Sequence, residues 1–264
     1  MAPAEEKFYQ ARIVERQDLS EDLWTIRVDP GGEFHFRAGQ YATLGLVTPE
    51  KHIERPYSIV SAPFEPYLEF FLERVPQGAL TPMLFKCQVG DRLTIRKAAK
   101  GRFTLDTASG RKNHLLICTV TGVAPFVSYI RTLYKDWKEH RETPETGHQL
   151  FLLEGASRSW EFGYRQEIER CASEVPWLKY VATVSRPWED SAWKGELGRV
   201  DELIRKYADS WGLTPETASA YLCGHPTMIE NGKGILLRRG WQKTAMKEEI
   251  YFVPSRDTPL LDEP

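Results

Sequence analysis

Four uninterrupted apolar runs constrain this chain more than any other feature. They are HLLICTV (114–120), QLFLLEGA (149–156), LKYVATVS (178–185) and ASAYLCG (218–224). A strand covered on both faces reads as a continuous apolar segment rather than an alternating one. Helix-patterned stretches follow each run, at about 125–140, 162–175, 198–212 and 228–240, and EEIYFVP (248–254) closes the series as a fifth strand. Strands alternating with helices predict a parallel, doubly wound α/β sheet of the Rossmann-like kind.

The residues before position 105 are patterned differently. Short alternating segments at 11–15, 23–28, 40–46, 56–61, 68–75 and 92–96 read as strands between turn residues such as DPGG (29–32). One short helix is expected at 81–86, with Thr81 as N-cap and Pro82 at the first helical position. Many short strands and one helix predict a small antiparallel β-barrel. The polar tract DTASGRKN (106–113) marks the boundary, giving an α+β two-domain chain with a barrel domain at 1–107 and an α/β domain at 113–264.

A net charge of −2 gives no overall pull toward nucleic acid or a membrane surface. No apolar run approaches the roughly 18 residues of a membrane span, and the first residues lack a signal-peptide core. Cys87, Cys118, Cys171 and Cys223 are scattered, without a C-x-x-C pair, so no metal site is expected and reduced thiols in the cytoplasm are. Any charge-driven partner has to be met by a local patch, such as Arg92, Arg96, Lys97, Lys100 and Arg102.

ERPYSIVSAP (54–63) places an arginine inside a strand pattern. A guanidinium grips phosphate oxygens with two prongs. Tyr57, two residues on, shares its sheet face, and Ser58 offers a hydroxyl on the other. VPQGALTPML (75–84) turns at Gly78 into a helix start, where backbone N–H groups suit an anion. Singly, these are a surface salt bridge, a core tyrosine and a helix cap; together they read as two ends of one pyrophosphate site.

RPYS (55–58), GALT (78–81), TGVAPF (121–126) and CGHPTM (223–228), in this order and spacing, resemble the ferredoxin/flavodoxin–NADP reductase family of bacterial type, over nearly the whole chain. The resemblance implies an FAD-binding barrel and an NADP(H)-binding α/β domain. It places Arg55 and Pro56 at the FAD pyrophosphate, Tyr57 and Phe71 beside the cofactor, Ser58 near flavin N5, and Gly78, Ala79, Leu80 and Thr81 at the phosphates. Thr121, Gly122 and Gly224 would meet the nicotinamide nucleotide, and Cys223 would lie by its ring. Ser185, Arg186 and Arg199, with Arg158 displaced by about one residue, would take the 2′-phosphate and favour NADPH. Glu249 and Tyr251 match a glutamate and an aromatic of the active site, and Phe252 an aromatic near the adenine.

The chain departs from the family pattern at two places. Val120 stands where the family carries the first glycine of the nucleotide loop, and the chain runs past Tyr251 to Pro264. The implied activity is hydride exchange between NADPH and FAD and single-electron exchange with an acidic ferredoxin or flavodoxin, by a monomer. Two other readings stand beside it: an NAD(P)H-dependent reductase component for an oxygenase or quinone, and a non-catalytic flavin-binding protein whose nucleotide loop has decayed.

Overall fold

The computed structural model describes residues 7–251. The first unit is built from strands β1 (Phe8–Asp18), β2 (Leu23–Asp29), β3 (Tyr41–Val47), β4 (His52–Ser58) and β5 (Leu68–Glu73). The short helix α1 (Thr81–Leu84) and strand β6 (Arg92–Arg96) complete it. They form one antiparallel sheet in the order β4-β3-β6-β1-β2-β5. A backbone hydrogen bond from Val60 N to Glu69 O, 2.9 Å, brings the chain leaving β4 onto β5, so the sheet curls until its edges meet.

The arginine-bearing strand lies earlier than its composition predicts. Its ladder with β3 runs from Val47↔His52 to Tyr41↔Ser58, so residues 52–55 join it and Ile59–Ser61 leave it. Pro56 sits on this edge strand, where its missing N–H removes no ladder bond.

β5 is buried on both faces. Leu68, Phe70 and Leu72 enter the barrel core, while Phe71 joins the core of the second unit. The outward residues of LEFFLE therefore face protein rather than water. Leu23, Val60, Phe103 and Leu105 join the same shared core, so the two units are packed across an apolar seam.

The second unit contains β7 (Asn113–Thr119), α2 (Ala124–Lys138), β8 (Gln149–Ala156), α3 (Arg165–Glu174), β9 (Leu178–Val184) and β10 (Glu196–Leu197). α4 (Val200–Ser210), β11 (Ala218–Gly224), α5 (Pro226–Arg238) and β12 (Met246–Ile250) complete it. The strands form a parallel sheet ordered β10-β9-β8-β7-β11-β12. Along β7, Leu116 and Cys118 pack on the α2–α3 side, and Leu115 and Ile117 on the α4–α5 side. That double covering is why the four strands read as continuous apolar runs. The two-residue β10 carries too little sequence to be foreseen.

Candidate active site

The carboxyl ends of β7 and β11 meet the end of β4. Ser58, buried at the last position of β4, donates its hydroxyl proton to Glu249 Oε1 on β12. Glu249 is the register neighbour of Cys223 on β11. The Tyr251 hydroxyl lies against both the Ser58 hydroxyl and the Cys223 thiol. Four side chains from both units thus converge, although 191 residues separate Ser58 from Glu249.

Burial sets their protonation. It raises the Glu249 carboxyl above the ordinary range, and the Ser58 hydrogen bond partly opposes this. Burial also pushes the Cys223 thiol and the Tyr251 hydroxyl well up, so both stay protonated at neutral pH. Cys223 is therefore no thiolate nucleophile. Glu249 also lines an open cavity of about 390 Å³ with Tyr41, Arg102, Phe103 and Lys247.

Arg55 and Pro56 are exposed on β4, and Tyr57 is half-buried against the barrel core. The Arg55 guanidinium donates to the Glu54 carbonyl at 2.7 Å, and among the described residues it pairs with no carboxylate. Gly78 closes a tight turn through its N–H to Val75 O, 2.9 Å. Thr81 does not cap α1 with its side chain: its hydroxyl accepts from Val75 N at 3.1 Å, which braces the turn from inside. Ala79 is exposed beside it and Leu80 is a core residue. Phe71 is 4% exposed and meets Tyr164 edge-on at 5.6 Å, so it is part of the seam between units.

After β7 the chain makes a 3-10 turn, Val120–Val123, before α2. Val120 adopts φ +44°, a left-handed conformation that a β-branched residue takes only under constraint. Thr121 and Gly122 are buried in the turn. A Cβ on Gly122 would stand 2.3 Å from Cys223 O, so this glycine lets the turn close on β11. Gly224, at φ +125°, is required equally, because a Cβ would meet Thr119 Oγ1 at 2.3 Å.

Two family models match the chain: an oxidoreductase FAD-binding domain over residues 10–105 and an oxidoreductase NAD-binding domain over residues 116–233. The flavodoxin/ferredoxin–NADP reductase of Escherichia coli (strain K12) is 30% identical over 227 residues, which cover 83% of this chain and 86% of that protein. The chain belongs to the ferredoxin–NADP reductase family. The reductase is also 29% identical over 272 residues to ferredoxin–NADP reductase A of Sorangium cellulosum (strain So ce56), covering 96% of this chain and 93% of that one. A ferredoxin NADP+ reductase of Neisseria gonorrhoeae, solved with FAD and NADP, superposes with a TM-score of 0.80. It is 24% identical and covers 93% of this chain and 99% of that one, a likeness of fold.

This is an oxidoreductase with FAD and NADP(H) as cofactors, and the residues present fit the first of them. An exposed arginine that pairs with no carboxylate among the described residues, with a tyrosine two residues on along β4, offers the positive charge and flat face that a dinucleotide cofactor needs.

The arginines expected at the 2′-phosphate lie beside acidic residues. Arg158, after β8, donates from Nε to Glu189 at 2.6 Å and from Nη1 to Glu161 at 3.0 Å. Arg186 Nη1 lies 3.8 Å from Glu189 Oε1. Arg199 Nε lies 3.5 Å from Asp201 Oδ1. Ser185, between β9 and Arg186, donates to Ala156 O at 3.4 Å. Arg96 is likewise held by Glu54 through two contacts, 2.5 and 3.2 Å, which removes it from the basic patch. Phe252 lies outside the described residues.

Sequence reasoning missed Glu189 and Asp190. Asp190 Oδ2 accepts from Ser159 N at 2.8 Å, tying the loop after β9 to the loop after β8. The run PWED (187–190), two acids just after the predicted phosphate arginine, was the available signal.

Proposed function

We propose that this reductase moves electrons between NADPH and a ferredoxin or flavodoxin, using the Ser58–Glu249–Tyr251–Cys223 cluster as its reaction centre. The observation that carries this reading is the hydrogen bond from Ser58 to Glu249, which joins the barrel to the edge of the parallel sheet. Bound FAD supplies the exchange between a two-electron hydride and single electrons.

The chain's own residues hold, orient and shield. Arg55 would hold pyrophosphate oxygens of FAD with its fork, and the backbone of Gly78, Ala79, Leu80 and Thr81 would supply further contacts to the phosphates. Tyr57 offers a flat face beside Arg55. Ser58 presents a hydroxyl whose proton is directed to Glu249, so its oxygen is oriented as an acceptor toward the reacting edge. Glu249, with its raised affinity for a proton, is poised to exchange one with the solvent-connected cavity beside it. Tyr251, 37% exposed, covers the centre from outside. Its place next to Cys223 is where a nicotinamide ring would enter, so Tyr251 has to move for substrate to bind. Thr121, Gly122 and Gly224 shape the floor of that entry.

An acidic acceptor protein fits Arg92, Lys97, Lys100 and Arg102, which are exposed on and after β6. Such attraction speeds encounter and weakens with salt. A cytoplasmic setting suits the four free thiols.

The test is the visible absorption spectrum during anaerobic addition of NADPH, and then of NADH, to the FAD-loaded protein. Bleaching of the flavin bands by stoichiometric NADPH is expected. A flavin left oxidised by both nucleotides would overturn the reading. Ser58→Ala removes one hydrogen bond to a charged group, about 1.5–3 kcal/mol, and should slow flavin reduction by about 10- to 100-fold.

A further inference from the structure

We propose that Glu189 is a built-in occupant of the 2′-phosphate site and sets how strongly the reductase prefers NADPH to NADH. This rests on the reading that Arg158 and Arg186 receive the phosphate. Both arginines stand at the carboxyl ends of neighbouring parallel strands, β8 and β9, where doubly wound sheets present their ligands. Their side chains converge on one carboxylate. Arg158 reaches Glu189 through Nε at 2.6 Å and through Nη2, and Arg186 through Nη1 at 3.8 Å.

The placement of Glu189 is fixed by backbone. It ends the 3-10 turn Pro187–Glu189, whose Glu189 N bonds Arg186 O at 3.0 Å. The next residue, Asp190, holds the neighbouring loop through Ser159 N, and Arg186 N bonds Ser157 O at 3.0 Å. These backbone ties bring the two arginines and the acid together with no nucleotide present. The Glu189 side chain is 36% exposed, so a displaced carboxylate has solvent to move into.

A phosphate carries more charge and more acceptor oxygens than a carboxylate, so it competes for the same guanidinium forks. It must first displace Glu189 and then tolerate that negative charge nearby. Glu161, at 3.0 Å from Arg158 Nη1, stays as a second competitor. NADH has no phosphate and leaves Glu189 in place, with a carboxylate suited to accept from the ribose 2′-hydroxyl. Glu189 therefore weakens NADPH binding and supports NADH binding, narrowing the gap between them.

The experiment is calorimetric titration of the FAD-loaded full-length protein, wild type and Glu189→Gln, with 2′,5′-ADP and separately with 5′-AMP. Glu189→Gln should bind 2′,5′-ADP about tenfold more tightly, with 5′-AMP unchanged or weaker. Equal shifts for both nucleotides, or no shift, would overturn the role of Glu189 while leaving the arginine assignment intact. If neither protein distinguishes 2′,5′-ADP from 5′-AMP, the arginine assignment itself falls, and this inference with it. Glu189→Ala provides a second variant at this exposed position and should show the same asymmetry.

Discussion

Val120 is the residue where sequence and backbone disagree most. A left-handed residue with a Cβ costs about 1–2 kcal/mol, more when β-branched. Here the constraint is supplied on both sides: Val120 packs against the α2–α3 core and against the small cluster of Ala156, Phe162 and Val184. Two substitutions separate strain from packing. Val120→Gly loses the contacts and releases the strain; Val120→Ala loses most of the contacts and keeps much of the strain. The glycine variant should therefore melt at or above the alanine variant, the reverse of the order expected at most positions. A melting temperature for Val120→Ala clearly above Val120→Gly would show that φ is not strained. The glycine variant should also lower the KM for NADPH, since it opens the turn at the sheet edge. Gly122 allows no such freedom: Gly122→Ala drives a methyl into Cys223 O and should fold poorly or lose nucleotide-dependent flavin reduction.

At the scale of elements, β7, β8 and β11 share a polar relay at the end opposite the active site. His114 is fully buried, and its Nε2 lies 2.6 Å from His148 Nδ1 with the rings stacked at 4.9 Å. His114 Nδ1 meets the Tyr221 hydroxyl at 3.1 Å, and Lys112 Nζ meets His148 Nε2 at 2.9 Å. Burial, with smaller contributions from His148, Lys247 and Lys112, lowers His114 to about 3, and Asp106 opposes them. Burial and Lys112 lower His148 as well. The folded His114 stays neutral well below about 6.5, where an unfolded histidine takes a proton, and His148 is shifted in the same direction. The unfolded chain thus binds more protons across this window, so stability falls as pH drops from about 6.5 toward 3. One such histidine contributes up to about 1.4 kcal/mol per pH unit. Urea unfolding over a pH series should show that fall, and His114→Gln should flatten it. An unchanged slope in the variant would remove His114 as its cause.

For the whole molecule, the question is what holds two units in one orientation. The apolar seam is non-directional, and Arg131 supplies direction. From α2 it reaches Glu69 on β5 at 2.9 Å, Glu167 on α3 at 2.7 and 2.9 Å, and Glu65 at 3.5 Å. Tyr164 donates to Glu69 at 2.7 Å, and Arg27 Nε adds a contact at 3.3 Å. Arg131 is held charged by Glu167 and Glu69 against the cost of its burial. Removing one partner of a buried pair leaves the other uncompensated, at about 3–5 kcal/mol. Arg131→Met should lose stability of that order and slow flavin reduction by NADPH, because the reaction centre is assembled across the same boundary. Arg131→Met combined with Glu69→Gln should recover part of the stability. A single Arg131→Met variant as stable as wild type would assign orientation to the apolar seam alone. No helix among the described residues is long and apolar enough to cross a membrane.

Local order carries much of this protein. Continuous apolar runs fix a sheet covered on both faces, because only such strands tolerate apolar residues at every position. Alternation fixes the barrel, and RPYS, GALT and CGHPTM mark the ligand edge, because phosphate grips and glycine turns are built from adjacent residues. Ser58, Cys223, Glu249 and Tyr251 were legible as separate motifs. Their hydrogen-bonded convergence was not, since it depends on how β4 docks against β11 and β12. Phe71 on β5 was expected beside the cofactor, and the packing of the second unit makes it part of the seam instead. The resemblance placed Arg158 and Arg186 at the 2′-phosphate, and only the meeting of two loops through Asp190 brings Glu189 to both. Side-chain identity and spacing are written along the chain; charge pairing between distant segments arises only when the sheet edge brings them together.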